Sequence, residues 1–148
     1  MNTSDLRINI ERLKDDVQTL AAIGRQADHG IYRMAFSEGD REARDWLSQR
    51  IGAAGLDVHQ DGAANISARL GWRADTPSVM TGSHIDTVPG AGHLDGALGV
   101  LCGLEALRTL HEAEVALSLA DVVHGDRRHH VDEDLDDARP VHVVVHLL

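Results

Sequence analysis

The sequence predicts an α/β fold: two N-terminal helices, three short strands, an apolar helix after them and an irregular C-terminal tail. Three observations carry this. Two stretches near the start repeat apolar residues at steps of three and four, the period of a helix lying on a core. Three short segments between Leu56 and Gly82 read as strands set apart by turn residues. The third strand leads through a Gly/Pro-rich loop into a nearly all-apolar helix, an order that calls for at least one parallel crossover.

Composition sets the outer limits. A chain of 148 residues can hold one domain with its own core. With 43% hydrophobic but only 3% aromatic residues, that core must be built from Leu, Val, Ile and Ala. A net charge of −10 argues against nucleic acid and anionic membranes, since both need a basic footprint. The single cysteine, Cys102, excludes an intramolecular disulfide and fits a reducing compartment. The N-terminus is polar, and no segment reaches the roughly 18 apolar residues of a membrane helix. A cytoplasmic protein without membrane contact is the simplest expectation.

The first helix is expected from Leu6 to Ile23. Leu6, Ile10, Leu13, Val17, Leu20 and Ala21 form its stripe, with Ser4 or Asp5 to cap its start and Gly24 its end. Residues 26–39 read as a loop with an aromatic and Met cluster, Tyr32, Met34 and Phe36. Packing onto the core and lining a cleft are both open to it. The second helix is expected from Asp40 to Ala54, with Asp40 as N-cap and Gly55 in a left-handed position after its end. Leu56 and Val58 then alternate in a strand, Asp61-Gly62 signals a turn, and Asn65 to Leu70 returns as the other half of a hairpin. Ser78 to Gly82 enters the third strand.

That third strand leads into the stretch that concentrates chemistry, SVMTGSHIDTVPGAGHLDGALGVLCGLEALRTL, residues 78–110. His84 and Asp86 fall at the strand's carboxyl end, where ligands sit in open α/β sheets. Residues two apart on a strand share a face, so both can line one cavity while Ile85 turns into the core. Asp95 opens the following helix, where a carboxylate can cap the helix or reach a metal. Nitrogen and carboxylate donors suit zinc, manganese or cobalt better than calcium. Gly96, Gly99 and Gly103 lower helix propensity and imply close backbone packing. Cys102 is expected to be an inert packing residue on this helix.

Taken together, GSHIDTVPGAGHLDGALGVLCGLEALRTL resembles the metal-dependent hydrolases of the aminoacylase and carboxypeptidase-G type. The likeness is greatest to the branch with N-carbamoyl-L-amino-acid hydrolase, β-ureidopropionase and allantoate amidohydrolase. RMAFSEGDREARDWL, AGLDVHQDGAANISARL and PSVMTGSH resemble that branch in the same order, so the likeness spans Leu6 to Glu112. It implies part of an α/β catalytic domain that binds two divalent ions, zinc or manganese, and that dimerises in the intact family. It implies that His84 is a metal ligand, Asp86 the acid supporting it, and Asp95 the carboxylate bridging both ions. The implied reaction is hydrolysis of a linear carbamoyl or ureido C–N bond in a small molecule by metal-activated water. His93 stands where many relatives carry Arg or Lys and is assigned no role.

The expected division is therefore 1–112 as the metallohydrolase part and 113–148 as a divergent tail. Relatives continue into a strand ending in two adjacent glutamates, and nothing after Glu114 resembles it. The acidic pair Glu133-Asp134 lacks an apolar strand to deliver it. The tail reads as another reading frame or a truncated gene, and the chain as an impaired enzyme. The alternative is a non-catalytic metal-binding or interaction fragment, with His124, His129, His130, His142 and His146 as loose donors.

Overall fold

The computed structural model describes residues 5–72 and 78–115 and the strand 142–147. In chain order the elements are α1 (Ile10–Ala22), α2 (Glu38–Ala53), β1 (Asp57–Gln60), β2 (Ile66–Leu70), β3 (Ser78–Ser83), α3 (Ala97–Glu112) and β4 (His142–Leu147).

The apolar stripe of α1 is buried at Leu13, Leu20 and Ala21, as its period requires. Its start differs from expectation. The helix begins at Ile10 rather than Leu6, because the Asn9 side chain accepts the Arg12 N–H at 3.0 Å. The Asn9 N–H in turn donates to Glu105 on α3 at 2.8 Å, which ties the helix start to its neighbour. Gly24, at φ 75°, follows the helix end as its sequence position suggested. The second helix is capped by Ser37, not Asp40. Ser37 Oγ accepts the Asp40 N–H at 3.2 Å, and Asp40 Oδ2 accepts the Phe36 N–H at 2.9 Å, a reciprocal arrangement akin to a capping box. Asp40 sits one turn in because its carboxylate serves that return bond and also holds Arg44 at 3.0 Å.

The hairpin is present: β1 and β2 pair antiparallel, Asp57 opposite Arg69. Asp61 Oδ1 closes its turn by accepting the N–H groups of Ala63 and Asn65 at 2.8 and 2.9 Å. The sheet order is β1-β2-β4-β3. Residues 142–147 therefore do not belong to an irregular tail. They form a strand antiparallel to β2 and parallel to β3, with Gly82 opposite His146 and Ser83 opposite Leu147. The run HVVVHL is rich in β-branched residues, and it satisfies the facing edges of two strands that would otherwise be unpaired. The parallel crossover expected from element order is β3 to β4.

All three helices contribute to one buried cluster with the sheet: Leu20 of α1, Leu47 and Ile51 of α2, Leu101, Leu104 and Leu107 of α3, and Ile66 and Ala68 of β2. The ends of β3 and α3 approach closely, since a Cβ on Gly99 would lie 2.9 Å from Ser83 Cβ. Cys102, expected inside, is exposed. Most of α3 is buried against the sheet and α1, whereas Leu98, Cys102 and Ala106 are exposed. Within the α1–α3 seam, buried charges replace apolar contact. Arg108 binds Asp16, and Arg12 Nε binds Glu105 at 2.8 Å while its other nitrogens reach Glu112. Arg50 Nε also stands 3.2 Å from Asp16 Oδ1, an oxygen with no hydrogen-bonded partner. Among the described residues, no helix is long and apolar enough to cross a membrane.

Candidate metal centre

The site begins where β3 stops. Past Ser83 the burial alternates, with His84 and Asp86 half-buried and Ile85, 0% exposed, turned into the core between them. The expected pair is formed: His84 Nδ1 lies 3.2 Å from Asp86 Oδ1 and 3.0 Å from the Asp86 carbonyl oxygen. Both oxygens only accept, so a hydrogen bond to either one requires the ring proton on Nδ1. The lone pair of the neutral imidazole is then on Nε2, the nitrogen left for a metal.

Asp95 is exposed and does not cap α3. That position belongs to Gly96, at φ 64° and ψ −48°, with no side-chain cap bond. A residue with a side chain cannot take its place: a Cβ on Gly96 would lie 2.5 Å from His84 Cε1, 2.5 Å from the His84 carbonyl oxygen and 2.6 Å from Nδ1. The Asp95–Gly96 step is thus laid against the His84 ring, and the Asp95 carboxylate is not used up by the helix. Glycines that the sequence assigned to close packing have that role here, Gly96 against His84 and Gly99 against Ser83.

The structure brings two of the three expected residues together and leaves Asp95 adjacent. Among the described residues, no three His, Cys, Asp or Glu side chains converge on a common metal position. The donor chemistry nevertheless fits a divalent ion of the zinc or manganese kind. It offers an imidazole whose Nδ1 meets the Asp86 carbonyl oxygen and lies near the Asp86 carboxylate, with a second, unengaged carboxylate one residue from the glycine that touches the ring. Of the tail histidines, His124, His129 and His130 lie outside the described residues, as does the Glu133-Asp134 pair. His142 and His146 are placed by the backbone of β4.

Sequence reasoning missed Arg33. The loop before α2 was read through Tyr32, Met34 and Phe36, yet Phe36 is 88% exposed and Met34 38%. The alternate residues face inward, with Ile31 at 1% and Arg33 at 0% exposure. Arg33 Nε donates to the Ile85 carbonyl at 2.7 Å, and Nη1 donates to the carbonyls of Leu20 and Ile23 at 3.0 and 3.2 Å. Its backbone N–H donates to Thr87 Oγ1 at 2.9 Å, and the Thr87 N–H donates back to its carbonyl at 2.9 Å. Burial pushes the guanidinium pKa below its usual value, opposed by the charges of Asp40 and Asp86. The available signal was the period of two in Ile31-Tyr32-Arg33, which sets an arginine on the same side as a core isoleucine.

No family model matches the chain. Over 109 residues it is 42% identical to an N-carbamoyl-L-amino-acid amidohydrolase of Pseudomonas sp. (strain NS671), an alignment covering 73% of this chain and 26% of that protein. It is 35% identical over 101 residues to the allantoate amidohydrolase of Bacillus subtilis (strain 168), covering 68% of this chain and 24% of the relative. Among solved structures, a hydantoinase/carbamoylase family amidase from Burkholderia ambifaria superposes with a TM-score of 0.72 at 33% identity, over 95% of this chain and 30% of that one. The chain thus spans about a quarter of the length of the curated relatives it matches. By sequence and by fold, it is a homologue of part of the N-carbamoyl-amino-acid and allantoate amidohydrolases and carries that part of the hydantoinase/carbamoylase amidase fold.

Proposed function

We propose that this chain serves metal-dependent hydrolysis of linear carbamoyl or ureido C–N bonds in small molecules such as N-carbamoyl amino acids. His84 and Asp95 are the metal ligands in this reading, and Asp86 is the acid behind His84. The observation that carries it is the His84–Asp86 pair at 3.2 Å with Gly96 packed on the ring, which leaves Nε2 and the Asp95 carboxylate as donors. A bound zinc or manganese ion supplies Lewis acidity and lowers the pKa of a coordinated water. The chain's own contribution is orientation: Asp86 holds the Nδ1 proton of His84, buried Ile85 fixes the backbone between them, and Gly96 brings Asp95 alongside. Residues 1–112 form the metallohydrolase part in this reading, and the site is a half-site whose turnover is slow. The second reading, a non-catalytic metal-binding fragment, draws on the lack of a third converging donor among the described residues.

Calorimetric titration of zinc and manganese into the full chain tests the site. Binding that weakens sharply in His84→Ala and Asp95→Asn supports it, and undiminished binding in both variants overturns it. Hydrolysis of N-carbamoyl-L-amino acids with added metal separates the readings. Slow turnover lost in His84→Ala supports the enzyme, and metal binding with no turnover above the metal-free blank supports the fragment.

A further inference from the structure

Arg33 is placed to do more than fill space, because a single residue grips the chain on both sides of Asp86. Before Asp86, its Nε donates to the Ile85 carbonyl at 2.7 Å. After Asp86, its backbone N–H and carbonyl engage Thr87 Oγ1 and the Thr87 N–H, each at 2.9 Å. The far side of the guanidinium is anchored to the end of α1 through Leu20 and Ile23. The link from the helix end to the site segment is thus one side chain, fully buried and held by main-chain acceptors on both sides. Its remaining nitrogen, Nη2, has no hydrogen-bond partner among the described residues.

The geometry points to Arg33 as a positioning residue: it fixes the backbone around Asp86 so that Asp86 holds the proton of His84 on Nδ1 and leaves Nε2 to bind metal. This rests on the proposed reading of His84 as a metal ligand. Asp86 is about one-third exposed and His84 somewhat more, so solvent alone would let the pair rearrange. The order must come from the backbone, and Arg33 supplies it. Groups that orient a metal-binding histidine from behind alter affinity by roughly ten- to hundredfold when lost.

The test uses the full chain without metal first. Nitrogen-15 NMR of the imidazole reports the His84 tautomer, a quantity that global stability alone does not move. Wild type is expected to carry the proton on Nδ1, and Arg33→Met to shift it towards a mixture with Nε2. Zinc affinity in that variant should fall by roughly ten- to hundredfold. Thr87→Val removes the Oγ1 that accepts the Arg33 N–H, leaving only the backbone bond between the two residues, and should shift the tautomer in the same direction. It decides the matter if Arg33→Met does not fold. An unchanged tautomer and a zinc affinity within twofold of wild type, in whichever variant is folded, overturn the proposal. Because the tautomer is read without metal, failure of zinc binding at His84 would refute the metal site while a tautomer shift still identified the positioning role.

Discussion

Gly96→Ala is the sharpest probe of how the site is built. The residue has φ 64° and ψ −48°, near the strained γ-turn region, which costs an L-amino acid about 1–3 kcal/mol. The new methyl would also fall 2.5 Å from both His84 Cε1 and the His84 carbonyl oxygen, inside any real contact distance. The ring can swing away, but the carbonyl is backbone, so β3 and α3 must separate locally. Overpacking of this kind costs about 1–3 kcal/mol. A combined loss of about 3 kcal/mol would lower the melting midpoint of a chain this size by about 10 °C. Gly62→Ala is the control, since nothing lies within 4 Å of its Cβ position. Thermal melts followed by circular dichroism, with zinc titration of each variant, make the comparison. The reasoning fails if Gly96→Ala melts with Gly62→Ala and binds zinc as tightly, because the Asp95–Gly96 step would then not be pressed on His84.

Other outcomes follow from the same structure. Glu105→Ala removes the carboxylate that receives the Asn9 N–H and Arg12 and leaves buried positive charge in the α1–α3 seam, so urea denaturation should show a loss of about 3–5 kcal/mol. A loss below about 1 kcal/mol would mean that Asp16 and Glu112 by themselves compensate Arg108 and Arg12. Ser37→Ala removes the cap of α2 and should cost about 1 kcal/mol in the same assay, while Ser48→Ala, on the helix body, should not. The Glu112 carboxylate is held below its usual pKa of 4.5, first by its hydrogen bond from Arg12. Its folded pKa is depressed, so its contribution is complete above the unfolded value and is lost as pH falls through the folded one. The stability difference between wild type and Glu112→Gln should therefore shrink on acidification below pH 4.5, and a difference independent of pH would refute the pairing.

Much of this protein was legible before any coordinates. Periodicity located α1 and α2 to within a few residues, because an amphipathic stripe records which side meets a core, and α3 stood out as a long apolar run. The Asp-Gly turn located the hairpin. Spacing on an extended chain placed His84 and Asp86 on one face with Ile85 inward, because alternation is a property of the strand itself. Helix starts were less legible. Asn9 and Ser37 took the caps in place of Ser4 or Asp5 and of Asp40: Glu105, far away in sequence, holds the Asn9 backbone N–H, and the Asp40 carboxylate is engaged by the Phe36 N–H and by Arg44 one turn on.

Only the tertiary structure could decide the rest. Whether residues 142–147 form a strand depends on the open edges of β2 and β3, whose paired residues stand at least 64 positions earlier in the sequence. Which side of an apolar α3 is buried depends on where the sheet and α1 stand, and that left Cys102 outside. Arg33 shows the difference most plainly. In sequence it is one more arginine in a polar loop, and its burial becomes favourable only when Leu20, Ile23 and Ile85 present their carbonyls around it. The sequence by itself set the types and spacing of the candidate donors His84, Asp86 and Asp95. The fold determined which backbone presses on them, because hydrogen bonds between distant segments carry no local signature.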